Sequence, residues 1–522
     1  MSIEEKVGQL FQVGFSGNEV NEEIRDMIEN YHVGSVIYFS RNIESPEQVS
    51  RLSNNLQELA INSKTSLPLM ISADQEGGTV TRLNGGSHFP GNMVLGAADS
   101  NDLANKAAKA SASELKNVGI NMNLAPVLDV NNNADNPVIG VRSFGEDPKK
   151  VAELGSAYFR GLQSEGVIAC AKHFPGHGDT TSDSHISLPT IKHDKKRLNE
   201  VELLPFKRAI ADGIDSIMTA HINFPAIEKD ETVPATLSKN VLTNLLREEL
   251  GYDGLIITDC MEMSAIADTH GTVEGAVRTL IAGSDTVLIS HTYEKQKRAI
   301  TAVINAVKSN RISEKRIDAS VKRILKLKKK RIGLNGYEKA DSSKINKKYS
   351  QEIAREIAEM GITMPKNKDI IPVEDIENKD LAVVDFEMGR VSLVEDNKEH
   401  DNLFVDYLAE KTSSLKHISI KDEMEFTKED INNLSEYDIV IVCTYNAQKN
   451  NIQAEIAEKI AEKIPVVMLA LRNPYDYELI NNVQAFITTY DYSPANQKAA
   501  ADLIRGKISA KGKLPVMNGD EH

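Results

Sequence analysis

The residues best equipped for chemistry crowd into Lys172-His173-Phe174-Pro175-Gly176-His177-Gly178-Asp179, followed by Asp183-Ser184-His185. Three histidines, two aspartates and a lysine fall within fourteen residues. A packed core would not hold that density of polar groups without partners. A loop at the C-terminal end of the apolar run 166–170 would. Asp183 and His185 are two residues apart. A carboxylate that close holds an imidazole in one tautomer and favours its protonated form, which a general acid/base requires. An ordinary polar loop accounts for the same pair. Asp259 ends Leu255-Ile-Ile-Thr-Asp259 and is read as a carboxylate at a strand's end. There it can attack an electrophilic carbon, or it can cap the next helix.

Lys172 and His173 close one strand. Strict alternation would turn one inward and the other outward, and together they can donate hydrogen bonds to ligand hydroxyls. The spacing His173-x3-His177-x-Asp179 invites a zinc reading, but it sits in a Pro/Gly loop and matches no established zinc spacing, so no metal is expected. Asp74-Gln-Glu-Gly-Gly78 with Arg82 follows a strand. Its glycine pair is a weak phosphate-cradle signal, being neither G-x-G-x-x-G nor a P-loop. The segment 136–148 contains Arg142, a directional donor to polar ligands.

The elements that must position these residues alternate. Strand-like runs fall at 7–15, 34–39, 67–73, 121–130, 168–173, 216–221, 254–259 and 285–290, with amphipathic stretches such as 45–60 and 102–118 between them. Ser45 and Pro46 read as N-cap and first helical residue. Eight strand–helix units within residues 1–334 predict a (β/α)8 barrel, with a doubly wound sheet as the alternative. Asp74, Asp129, His173, His221, Asp259 and His291 all fall at or just past the end of a run, and a barrel converges such ends on one mouth. A helix over 312–334 carries Lys326-Leu-Lys-Lys-Lys-Arg331, read as a solvated face in preference to a polyanion patch. Residues 335–350 form the expected linker. Residues 351–522 read as a smaller α/β sandwich, with strands at 381–386, 439–443, 466–471 and 485–490, helices at 451–463 and 495–506, and a weakly patterned stretch at 388–435.

Bulk properties narrow the class. The chain of 522 residues is 41% hydrophobic and 26% charged, ordinary for a globular protein, and exceeds the size of one core. A net charge of −15 argues against a nucleic-acid partner. No apolar run approaches the roughly 20 residues that span a bilayer. Cys170, Cys260 and Cys443 sit in or beside apolar runs and read as free thiols. With no apolar leader after Met1, the expected location is the cytoplasm; export as a secreted protein or lipoprotein, with a trimmed leader, is the alternative. Oligomeric state is not legible.

Together, Asp74-Gln-Glu-Gly-Gly with Arg82, the segment 136–148, Lys172–Asp179 with Asp183-Ser-His185, Ile256-Ile-Thr-Asp259 and the ending Tyr492-Ser-Pro through Gly512-Lys-Leu-Pro-Val516 resemble glycoside hydrolase family 3. Within it they are similar to the two-domain β-N-acetylglucosaminidases of Gram-positive type. The resemblance implies a barrel followed by an α/β sandwich and hydrolysis of terminal N-acetylglucosamine residues, with cell-wall fragments as the source. It implies Asp259 as nucleophile, His185 as acid/base oriented by Asp183, and Asp74, Arg82, Arg142, Lys172 and His173 as sugar-binding residues, with no cofactor. The acid is a histidine where retaining glycosidases usually carry a second carboxylate. A histidine base repels phosphate less than a carboxylate does, so a phosphorylase is an alternative; a non-catalytic sugar-binding barrel is another.

Overall fold

The computed structural model describes residues 1–181, 183, 188–386, 392, 394–395, 403–421, 426–449 and 451–517. Eight parallel strands close a barrel: β1 (Phe11–Val13), β2 (Ser35–Tyr38), β3 (Met70–Ala73), β6 (Met122–Asn123), β7 (Ile168–Phe174), β8 (Ser216–Thr219), β9 (Leu255–Cys260) and β10 (Thr286–Ile289), in the order β1-β10-β9-β8-β7-β6-β3-β2. The antiparallel hairpin β4 (Gln75–Gly77) and β5 (Val80–Thr81) projects beyond β3. All eight barrel strands answer to the sequence runs, because strands covered by helices outside and side chains inside read as continuous apolar runs. Two runs overshoot. Residues 7–8 end the helix Ile3–Gly8, which Ser2 and Glu5 close with a capping box. Of the run 121–130 only two residues ladder as β6.

Helices line the outside as expected. Ser45 caps Pro46–Asn62 by accepting from the Gln48 N–H at 3.2 Å, and Ser100 caps Asn101–Asn117. The exit helix Glu314–Arg331 departs from the solvated-face reading. Lys328 is fully buried and donates to Gln9 Oε1 at 2.9 Å, while Lys330 and Arg331 clamp the buried Asp215. The apolar side of this amphipathic helix is flanked by long basic side chains whose stems pack inward.

The second sheet runs in the order β11-β16-β15-β14-β12-β13: β11 (Thr363–Asn367), β12 (Asp380–Phe386), β13 (Ser414–Ile420), β14 (Ile439–Thr444), β15 (Val466–Ala470) and β16 (Ala485–Thr488). Only β11 is antiparallel. The helix Lys347–Gly361 joins the two cores, burying Ile353 and Ile357 with the barrel cluster and Ala358 with the sheet cluster. The chain is thus a (β/α)8 barrel followed by an α/β sandwich. The edge strands β11 and β13 escape sequence reading: the first contains Pro365, the second is half exposed. No disulfide joins the three cysteines. Among the described residues no helix is long and apolar enough to cross a membrane.

Candidate active site

The C-terminal strand ends of the barrel surround a cavity of about 740 Å³. Its floor is apolar, made by Ile37, Leu124, Met218 and Leu288 from inside the barrel. Its walls are polar and come from separate strands. Asp259, on β9, faces the cavity and accepts a hydrogen bond from the Cys260 N–H at 2.7 Å. The next helix, Ser264–Ala267, starts after Met263, so Asp259 is not its cap. β9 therefore ends in a carboxylate that borders the cavity.

Opposite lies an ion cluster. Lys172 Nζ donates to Asp74 Oδ1 at 2.6 Å and stands 2.7 Å from Glu76 Oε1. Arg142 binds Glu76 through Nε and Nη2 at 2.9 and 2.8 Å, a two-pronged pair that fixes the guanidinium plane. Arg142 Nη1 also donates to the Val138 carbonyl at 3.1 Å. Burial alone would push the Glu76 carboxyl up; the Arg142 and Lys172 cations outweigh it and hold it well below the usual carboxylate range. Glu76 thus stays charged and aims Lys172 and Arg142, both of which line the cavity. Asp74 also lines it.

His173 lines the same wall. Its Nδ1–H donates to Asp129 Oδ2 at 2.7 Å, and the backbone N–H groups of His173 and His177 donate to Asp129 Oδ1. One buried carboxylate thereby fixes both the loop and the His173 ring. Lys172 and His173 do not face opposite ways as strict alternation would have it. The register of β7 against β8 shifts between Ala171 and Phe174, and both side chains border the cavity. Gly178 follows from close approach: a Cβ there would stand 1.6 Å from the Val130 carbonyl oxygen.

Arg82, following β5, lines the cavity and donates from Nη2 to the carbonyl of Val394 at 2.6 Å. Val394 and its neighbour Glu395 belong to the second domain and also border the cavity. Arg472 holds Glu395 in a buried ion pair at 2.7 Å. The second domain thus reaches into the mouth. Of the residues singled out in the sequence, Asp74, Arg82, Arg142, Lys172, His173 and Asp259 share this cavity. Asp183 is buried but does not line it, and His185 lies outside the described residues.

The strand-end reading fails at His221. His221 is spent on Thr236 Oγ1 (2.7 Å) and the Cys260 carbonyl (2.9 Å) and does not border the cavity. At Gly78, with φ +57°, a Cβ would stand 2.9 Å from Gly91 Cα, so the glycine serves close backbone packing. His177 Nδ1 pairs with Thr180 Oγ1 at 3.0 Å, and Asp179 turns to His193, so the spacing read for zinc brings no triad together. Burial and then the adjacent His173 push the His177 imidazole down to about 4. His291 borders the cavity as its place at a strand end implied, whereas sequence reading missed Glu76, Phe39, Arg41 and Glu262. Arg41 lies 4.5 Å above the Phe39 ring, and the His291 ring lies 5.2 Å from it, forming an aromatic–cationic rim. Glu76 was visible within the Asp74–Gly78 motif; Val394 and Glu395 carried no signal.

Residues 2–327 match the family model "Glycosyl hydrolase family 3 N terminal domain". A β-hexosaminidase A from Pseudoalteromonas piscicida is 37% identical over 374 residues, 68% of this chain; the match spans 62% of that protein's length. A β-N-acetylglucosaminidase/β-glucosidase from Cellulomonas fimi is 26% identical over 99% of this chain and 94% of its own. The solved structure of a glycoside hydrolase family 3 β-N-acetylglucosaminidase from Paenibacillus sp. str. FPU-7 is 42% identical, covers 99% of both chains and superposes with a TM-score of 0.91. With more than half of the chain matched by the family model, and a cavity at the barrel's C-terminal face, this chain belongs to glycosyl hydrolase family 3.

Proposed function

We propose that this protein is a retaining β-N-acetylglucosaminidase that releases terminal non-reducing N-acetylglucosamine, with peptidoglycan fragments (muropeptides) as the source. The observation that carries the reading is one cavity bordered by the Asp259 carboxylate on one side and the Asp74–Lys172–Arg142–His173 donor and acceptor set on the other. A pyranose presents hydroxyls in several directions, and an array fixed by Glu76 and Asp129 meets them without reorganising. Asp259 attacks the anomeric carbon and forms a glycosyl–aspartate ester as the glycosidic bond breaks. His185, oriented by Asp183, gives its proton to the departing oxygen, then takes one from the water that cleaves the ester; two inversions leave the configuration retained.

The similarity to proteins named β-hexosaminidase and β-N-acetylglucosaminidase supports the choice of sugar. Hydrolysis is favoured over transfer to phosphate because two of the cavity's cations are already held by carboxylates: Lys172 by Asp74 and Glu76, Arg142 by Glu76. The test is a set of aryl glycosides differing only at C2, assayed with and without phosphate. We expect preference for the 2-acetamido compound and free sugar as product. Equal use of the glucoside would overturn the sugar assignment, and a phosphate-dependent sugar 1-phosphate would overturn hydrolysis.

A further inference from the structure

A second set of ligand-type side chains converges behind the mouth. Asp179, His193 and Glu202 each bring one oxygen or nitrogen atom within 4.8 Å of the other two. Asp179 Oδ2 and His193 Nε2 are in direct contact. Glu202 is only 2% exposed, yet its Oε2 accepts no hydrogen bond among the described residues. Its Oε1 takes a long bond from Asn132 Nδ2 at 3.3 Å, and Arg197 Nε stands 3.6 Å away. A carboxylate sealed from water with such thin compensation is costly. A cation at the convergence point would complete it.

The three residues come from separate stretches. Asp179 lies in the loop that follows β7, His193 precedes the helix Lys195–Glu200, and Glu202 follows it. Asp179 and His193 therefore bracket the segment holding Asp183 and His185. Glu202 also abuts the loop after β7: a Cβ at Gly176 would stand 2.8 Å from Glu202 Cβ. None of the three borders the reaction cavity.

We propose that Asp179, His193 and Glu202 bind one zinc-class divalent cation that clamps both ends of the segment 179–193 against the barrel. One imidazole and two carboxylates form a donor set suited to zinc; calcium and magnesium want six or more oxygens. The Asp179 and His193 side chains are 23% and 36% exposed, which leaves a solvent-facing position for water as fourth ligand. Binding requires a neutral His193 imidazole with its proton on Nδ1, so that Nε2 can ligate as the ion displaces the Asp179–His193 contact. The site stands apart from the glycosidase reading and does not depend on it.

The test uses the full chain, stripped with chelator and titrated calorimetrically with zinc chloride, with calcium and magnesium chloride as comparisons. One equivalent of zinc should bind, and His193→Ala and Glu202→Gln should each weaken it at least about tenfold. Asp259→Asn should leave it intact. Zinc should slow proteolytic cutting within 180–192 in the native chain but not in His193→Ala, whose half-exposed position keeps folding out of the comparison. Absence of zinc binding, binding that survives both ligand variants, or binding lost in Asp259→Asn would each overturn the proposal.

Discussion

Acids and bases are packed at both ends of the barrel, with opposite consequences. At the N-terminal strand ends, Asp285 precedes β10 and is fully buried. It accepts from the Ile256 N–H at 3.0 Å and Ser320 Oγ at 2.6 Å, and pairs with Arg247, Arg323 and Arg316. Asp215 precedes β8 and is gripped by Lys330 and Arg331. None of these groups borders the mouth cavity. At the C-terminal ends, Asp74, Lys172 and Arg142 are just as tightly paired, yet each keeps an edge on that cavity. The same residue types, turned away from that cavity, hold the exit helix to the barrel; left with one edge on it, they present polar groups to the cavity. Function resides in where the packing stops.

That contrast can be broken in graded ways. The largest effect is expected from Asp259→Asn, which should lower kcat by about 10⁴-fold or more and abolish covalent trapping by a fluorinated glycoside, with the denaturation midpoint unchanged. Trapping that persists would place the nucleophile elsewhere. His185→Ala should cost roughly 10²–10⁴-fold on substrates with poor leaving groups and less on activated aryl glycosides; equal losses on both would rule out an acid role. At the other end, Asp285→Ala removes the buried carboxylate that three guanidinium groups share and should destabilise by about 3–5 kcal/mol, read from denaturant unfolding, while kcat/KM of the folded fraction barely moves. A comparable loss of activity would erase the distinction between the two ends.

Acid and alkali probe the ends separately. Burial pushes the Lys328 ammonium at the exit helix down to about 7 from its ordinary 10.5. The unfolded chain then holds the proton more tightly, so this group's contribution is full above pH 10.5 and is lost as pH falls to about 7. His177, at the mouth, acts in the same sense over a lower window, full above pH 6.5 and lost as pH falls to about 4. Each contributes a slope of about 1.4 kcal/mol per pH unit within its window. Lys328→Met should flatten only the alkaline slope and His177→Asn only the acid one, as followed by unfolding at a series of pH values. The smallest effect belongs to Lys326→Ala. Lys326 and its partner Asp253 are both 78% exposed and 3.9 Å apart, so stability should stay within about 0.5 kcal/mol.

The parts of the molecule differ in how plainly the chain announces them. Barrel strands are legible because both of their faces are buried, and β9 with its terminal carboxylate is the clearest case. The edge strands β11 and β13 are half solvated, and their composition resembles loop. The basic run of the exit helix shows the reverse problem: Lys326 and Lys328 look alike in sequence, yet one is exposed and the other sealed. Val394 and Glu395 sit in a charged stretch with no periodicity, and only the seating of the second domain brings them to the cavity.

From the amino-acid order alone came the alternation of strand and helix, the placing of reactive groups at strand ends, and the candidate nucleophile Asp259, because burial on both faces and turn chemistry leave local traces. The pairing of those groups came only with the closed barrel. Glu76 meets Arg142 across 66 residues and Asp74 meets Lys172 across 98. Which strand ends become neighbours depends on ring closure and register, and no local periodicity records either.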